Sequence, residues 1–378
     1  MALFRVPRWP LIFSAAMVFA TPALADQVNS SIEEMHDNSK AGHGLAKGSD
    51  LLIVPIPLSN PTLGTGLSVA GVLFYNPNKA PEPWISGVGA MKTSNGSWAA
   101  AAFHDMSLAD DRFRIIAFGG YGDINVDFFG IGPGAGDRGV SVKLDQEGIA
   151  GLLQGQMRVA KHFYAGARFQ FLDLKSTVMR QNPAFPDLEL PPVQGKSTTA
   201  QIGPSLSYDS RDNSLNPVNG ELLTMQWMFN AKALGSDFTS DKMTAAANVY
   251  RAAGEGGVLA LHASLCAASK GSPFYDLCLY GQSNDLRGYE AGRYRDRASW
   301  TVQYEVRQKL SGRFGAVAFA GVGGVASSLS DIGNSKFLPA AGVGLRYRPS
   351  RETNVNLRLD YAVGKDSDAI YFAIAEAF

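Results

Sequence analysis

From Leu51 to Phe378 the chain never strings together the roughly 18–20 apolar residues that a membrane-spanning helix requires. It is built instead from segments of about ten residues that alternate apolar with small or polar side chains between turn-forming clusters. Side chains along a strand point to opposite faces in turn, so in residues 224–230 Met225, Trp227 and Phe229 share one face and Thr224, Gln226, Met228 and Asn230 the other. The split is sharper in residues 300–307, where Trp300, Val302, Tyr304 and Val306 oppose Thr301, Gln303, Glu305 and Arg307. In residues 355–361, Val355, Leu357, Leu359 and Tyr361 oppose Asn356, Arg358 and Asp360. A soluble sandwich alternates in the same way, so the pattern alone leaves a sandwich and a membrane barrel both open.

The start of the chain narrows the choice. Residues 1–25 read as a signal peptide, with Arg5 and Arg8 as the basic region, Leu11 to Ala20 as the apolar core and Ala23-Leu-Ala25 as the cleavage site. Residues 26–49 read as a polar periplasmic lead-in in which His36 and His43 have no ligand partners aimed with them at one ion, so they count as solvated linker histidines. An exported chain without a spanning helix can reside in a membrane only as a closed barrel, because lipid offers no partner to an unpaired backbone group. Export also permits a disulfide between Cys266 and Cys278, although their spacing is equally compatible with two free thiols.

Candidate strands fall at 51–58, 64–75, 83–93, 97–107, 111–121, 140–157, 162–176, 197–210, 220–232, 242–253, 257–269, 298–309, 313–326, 337–348, 353–363 and 369–378, sixteen in all. An even count places both ends of residues 50–378 on one side, as in bacterial barrels with short periplasmic turns and longer outside loops. The parity then puts 122–139, 177–196 and 270–297, the three longest connections, outside. Asn95-Gly96 is a tight hairpin signal on that same side.

Several chemistries are excluded. Lys plus Arg equals Asp plus Glu at 34 each, so the charge balance gives no reason to expect nucleic acid. The glycines of Phe128-Phe-Gly-Ile-Gly-Pro-Gly-Ala-Gly136 are followed by no Gly-Lys-Ser/Thr and open no helix, so they do not make a phosphate cradle. Gly66-Leu-Ser68-Val-Ala70 lacks the final glycine of a nucleophile elbow and lies within a strand. No His/Cys/Glu cluster has metal spacing. The expectation is therefore no enzyme, no metal and no cofactor.

Three stretches together resemble the BamA/TamA-type outer-membrane insertase superfamily, also called bacterial surface antigen barrels. Tyr208-Asp-Ser-Arg-Asp-Asn-Ser-Leu-Asn-Pro-Val-Asn-Gly220 is similar to the family's turn, through Asp209, Arg211, Asp212, Pro217 and Gly220. Leu286-Arg-Gly-Tyr289 is similar to the Val-Arg-Gly-Phe/Tyr at the tip of the sixth extracellular loop. The ending Ala375-Glu-Ala-Phe378 resembles the terminal aromatic on an amphipathic strand that assembly machinery reads, with Phe378 as the signal.

The resemblance implies an all-β, sixteen-stranded antiparallel transmembrane barrel whose sixth loop folds into the lumen. It implies that Arg287, with Gly288 and Tyr289, latches onto Glu305, which has the lumen-facing parity above. The family's second acidic partner is absent where this chain reads Phe319-Ala-Gly321-Val-Gly323, so Asp360 is the expected substitute. Residues 26–49 are too few for a periplasmic polypeptide-transport-associated domain, so substrate handling would fall to a partner.

Two functions follow from these expectations. One is an insertase or translocator aiding protein assembly or export at the cell outer membrane, with a seam between first and last strands weakened by Pro55 and Pro57. The other is a structural or pore-type barrel, for which those prolines simply lead into a closed wall. Expected partners are outer-membrane lipid, the assembly machinery during biogenesis, and a separate periplasmic or client protein.

Overall fold

The computed structural model describes residues 50–77, 84–180, 195–213, 216–281, 285–348 and 356–378. The expected signal peptide, the lead-in with His36 and His43, and most of the expected loop 177–196 lie outside the described residues. The first strands are β1 (Asp50–Asn60), β2 (Gly64–Tyr75), β3 (Trp84–Thr93), β4 (Trp98–Leu108), β5 (Phe113–Phe128) and β6 (Val142–Ala160). There follow β7 (Phe163–Arg180), β8 (Gly195–Asp209), β9 (Gly220–Asn230), β10 (Ser240–Ala252), β11 (Gly257–Ala268), β12 (Cys278–Leu279) and β13 (Arg295–Asp296). The chain ends with β14 (Ala298–Lys309), β15 (Phe314–Ala326), β16 (Leu338–Tyr347), β17 (Leu357–Gly364) and β18 (Ser367–Ile374).

Every one of these strands except β12 and β13 joins a single closed antiparallel barrel in chain order, with β18 returning to β1. β12 and β13 pair only with each other, inside the connection between β11 and β14. Sixteen strands thus form the wall, as the alternation predicts. In β14, Thr301, Gln303, Glu305 and Arg307 are buried and Val302, Tyr304 and Val306 exposed. In β9, Met225, Trp227 and Phe229 are exposed and Gln226, Met228 and Asn230 buried. The exposed apolar rows form a lipid-facing band, and the buried rows line a largely polar lumen.

The structure corrects two expectations. β5 runs to Phe128 rather than stopping at 121, and β6 covers residues 142–160, so the loop between them shrinks to 129–141. The outer face of this stretch is charged: Asp123 stands opposite Glu147, Asn125 opposite Asp145 and Asp127 opposite Lys143. Such residues look like loop in a sequence, but a ladder that rises above the lipid band has no need of an apolar outer face.

The second correction concerns the end of the chain. The final strand is expected to carry Phe378, yet β18 ends at Ile374 and residues 375–378 turn into the lumen. Ala375 adopts a left-handed conformation with φ 69°, an uncommon state for a side chain bearing a Cβ. Charge drives the turn, because continued alternation would leave Glu376 outside the lumen, where its carboxylate instead meets the Arg346 guanidinium at 2.7 Å.

Asn95-Gly96 forms its tight turn between β3 and β4. The Asn95 side-chain oxygen accepts from the Ser97 N–H at 3.1 Å and the Thr93 hydroxyl at 2.8 Å, and Gly96 has φ 94°.

Candidate functional site

The connection 269–297 is an insertion into the barrel rather than a loop over it. Its base is fixed covalently: Cys266 at the end of β11 and Cys278 are disulfide-bonded, with Cα atoms 5.7 Å apart. Its first half leans on one wall, where the Asp276 carboxylate accepts from the Gln201 amide at 2.5 Å and lies 3.7 Å from the Lys242 ammonium. Tyr275 and Ser197 share a hydroxyl hydrogen bond of 2.9 Å on that side. The second half presses on the wall of β15 and β16, packing Tyr280, Leu286, Tyr289 and Tyr294 with Val325, Leu338 and Ala340 into one apolar cluster.

Two glycines of β15 make that approach possible. A Cβ on Gly321 would stand 2.5 Å from a Leu286 methyl carbon, and one on Gly323 would stand 2.7 Å from the Tyr280 ring. The missing aspartate of this strand therefore belongs to a stretch made small to receive the loop.

Arg287 is fully buried at the tip. Its guanidinium is shared between two wall carboxylates, donating from Nη2 to Glu305 and from Nη1 to Asp360. Its Cζ stacks 3.5 Å from the centroid of the Phe319 ring. The structure thus brings together Arg287, Glu305 and Asp360, while Phe319 provides an aromatic face in place of a third acid. Gly288 donates its N–H to the Tyr371 hydroxyl at 2.9 Å, and its carbonyl accepts from the Ser367 hydroxyl at 2.6 Å. Tyr289 donates its hydroxyl to the Pro339 carbonyl at 2.6 Å.

Three charged residues that were not site candidates in the sequence, joined by Phe378 of the expected signal, complete this centre. Arg307 donates to Glu305 at 2.6 Å and Arg346 to Asp360 at 2.5 Å. Glu376 accepts from Arg346 and from the Asn356 amide, the latter at 2.7 Å. Phe378 stacks 5.1 Å from the His262 ring, and its main-chain oxygen accepts from Arg307 at 2.8 Å. His262 in turn lies 3.1 Å from Asp285, one residue before Leu286. Alternation signals the inward direction of Arg307 and Arg346, but nothing in the sequence signals that the tail joins them.

At the extracellular mouth Asp137 gathers Lys336, Lys365 and Tyr294, tying the 129–141 loop to three other segments. The Lys336 and Lys365 ammonium groups hold its carboxyl below the usual carboxylate range. Burial, reinforced by a hydrogen bond to Asp137, raises the Tyr294 hydroxyl to about 12. Nearby, burial and then the charge of Asp127 push Glu290 up to about 8. Among the described residues no group of three or more His, Cys, Asp or Glu side chains is arranged to hold a metal ion.

The turn before β9 is a self-contained device. Arg211 donates from Nε and Nη2 to the two Asp209 carboxylate oxygens, both at 2.9 Å, and Asp212 accepts from the Val218 and Asn219 N–H groups, both at 3.0 Å. Pro217 is buried within it, and Gly220, at φ 109°, would place a Cβ 2.4 Å from the Ser210 carbonyl oxygen.

An Omp85 superfamily domain matches residues 125–378. The chain belongs to the Omp85 superfamily. It is an outer-membrane β-barrel of that family, and its fold is shared with solved relatives of low identity. BamA from Haemophilus ducreyi lacking POTRA domains 1-3 superposes with a TM-score of 0.56 at 15% identity, over 93% of this chain and 78% of that one. CdiB from Escherichia coli gives a TM-score of 0.60 at 12% identity, over 91% and 70%. CdiB from Acinetobacter baumannii gives 0.57 at 13%, over 87% and 60%. No curated protein sequence matches this Omp85 member significantly.

Proposed function

We propose that this barrel aids the insertion or export of other proteins at the outer membrane, by opening laterally between β1 and β18 while Arg287 latches the inserted loop to the wall. The observation that carries the reading is the weakness of that seam. β1 pairs with β2 at eleven positions, Asp50 to Asn60, but among the described residues it pairs with β18 only at Ser59 opposite Phe372. Pro55 and Pro57 lie in the same edge, two residues apart, so both remove a donor from one side of the strand. Extending the Ser59–Phe372 register would set residues 375–378 beside 53–56, and the inward turn of the tail leaves that length of β1, among the described residues, without a partner on its β18 side. A strand edge of this kind is a template for a client strand.

The partners in this reading are lipid at the seam, a client chain, and a separate periplasmic protein that delivers it. Phe378, before the tail is seated, serves as the signal read by the assembly machinery. The test is a lock: cysteines at Ser59 and Phe372, in a Cys266→Ser/Cys278→Ser parent, are oxidised across the seam in vesicles of native lipid. Client barrels should then fold at least about tenfold more slowly than with the reduced protein. Equal rates in both states would leave a structural barrel without insertase activity.

A further inference from the structure

Six buried side chains, Arg287 among them, form a closed ring of alternating charge. Arg287 holds Glu305 and Asp360, Arg307 lies 2.6 Å from Glu305, and Arg346 lies 2.5 Å from Asp360. Glu376 then closes the ring, 2.7 Å from Arg346 and 3.8 Å from Arg307. Five of the six belong to the wall strands or the inserted loop, and only Glu376 comes from the tail beyond β18.

We infer that Arg307 and Arg346 form a carboxylate-binding site in the periplasmic half of the lumen, that Glu376 of the chain's own tail occupies it, and that this occupancy sets how firmly Arg287 is held. The physical case rests on sharing. Each acid that grips Arg287 also grips one of the two arginines that grip Glu376. When Glu376 is in place, its charge draws Arg307 and Arg346 toward the tail and moderates their hold on Glu305 and Asp360. When it leaves, each arginine turns its whole charge on the one acid it still touches, and both acids are drawn away from Arg287.

The site has further marks of an exchangeable one. Arg307 and Arg346 are nearly fully buried, yet Nη1 of the first and Nη2 of the second have no hydrogen-bond partner among the described residues. The rest of the tail is held by few bonds: Asn356 to Glu376, Arg307 to the Phe378 main-chain oxygen, and the Ala375 N–H to the Asn356 carbonyl at 2.8 Å. The occupant is thus an acidic peptide segment entered from the periplasmic end, here supplied in cis. This rests on reading Arg287 as a latch and adds the tail as a positioning element acting through the two arginines.

The experiment is a double-mutant cycle with chemical rescue, using the full chain folded in lipid vesicles and its unfolding rate in denaturant. Glu376→Ala and Arg287→Ala should each speed unfolding. The double variant should unfold about tenfold more slowly than the product of the two effects requires, a coupling of about 1.4 kcal/mol. Formate, the smallest carboxylate, should slow unfolding of Glu376→Ala towards the wild-type rate and leave Arg287→Ala unchanged. If Glu376→Ala fails to fold, Glu376→Gln keeps an oxygen for Asn356, removes the charge and the acceptor facing Arg346, and should show the same non-additivity. Multiplicative rates, or a formate effect absent from Glu376→Ala or present equally in Arg287→Ala, would overturn the inference. A failure here alongside a working seam lock would leave the proposed function standing, because unfolding is read without any client.

Discussion

Replacing Arg287 tests whether the inserted loop is held chiefly by its tip. Truncation to alanine removes both fork bonds, to Glu305 and Asp360, and the stack on Phe319. Removing one member of a buried ion pair ordinarily costs about 3–5 kcal/mol, because the partner is left charged and dry. Here Glu305 keeps Arg307 and Asp360 keeps Arg346, so neither acid is orphaned and the cost falls to the lower end, about 3 kcal/mol. Arg287→Lys keeps the charge, but an ammonium cannot span two carboxylates as a planar fork does, nor stack as well on Phe319. About half of the loss, roughly 1.5 kcal/mol, should persist. The assay is equilibrium unfolding in guanidinium of protein folded into vesicles, with a folded-band gel shift as the independent readout. An alanine variant that loses less than about 1 kcal/mol, or a lysine variant as stable as the parent, would refute the argument, since surface-like ion pairs fall in that range.

Other perturbations reach different parts of the same assembly. Cys266→Ser with Cys278→Ser, or reduction of the parent, should cost about 3 kcal/mol from reopening a loop with a sequence separation of 12, seen as a lower unfolding midpoint. Gly321→Val should expel Leu286 from its seat and also press the Val302 carbonyl, 2.6 Å from the added Cβ, at a cost of about 1–3 kcal/mol; Leu286→Ala in the same chain should recover only the first part, and hydrogen exchange across residues 285–295 reports the movement. Glu290 has a folded-state pKa raised from the ordinary 4.5 to about 8, so its neutral form is favoured in the fold. Stability should therefore decline as pH rises from about 4.5 to about 8 and then level off, and Glu290→Gln should flatten that slope. Asp137 carries the opposite sign: its carboxyl is held low, so its contribution is present at neutral pH and disappears only as pH falls below the ordinary carboxylate range. Asp137→Asn should speed hydrogen exchange in residues 129–141 at neutral pH.

The wall was legible because alternation has a period of two and errors of a residue or two at strand ends leave its parity unchanged. Parity alone turned Glu305 and Asp360 inward, and the resemblance supplied the arginine that meets them. The height of β5 was hidden because the usual sign of a barrel strand, an apolar outer row, ends where the lipid ends, at Asp123. The tail was illegible for a different reason. Ala-Glu-Ala-Phe continues the alternation of β18 without a break, and Ala375 gives no warning of a positive φ. What bends the chain is the pairing of Glu376 with Arg346, 30 positions away in sequence. A strand rule that sees only neighbours cannot contain that information.

The inserted loop is fixed to three arcs of the barrel: Asp276 on β8 and β10, Arg287 on β14 and β17 and, opposite β8 and β10, the Ala291 N–H on the Thr62 hydroxyl of the β1–β2 turn at 3.0 Å. Mechanically it is a spoke across a hoop. A hoop cut at one place ordinarily loses its shape, but one with a spoke fixed to opposite arcs keeps its diameter along that line. Parting β1 from β18 would therefore widen a slot at the rim without flattening the cross-section, and the fourteen other wall strands could keep their register while the edge is free.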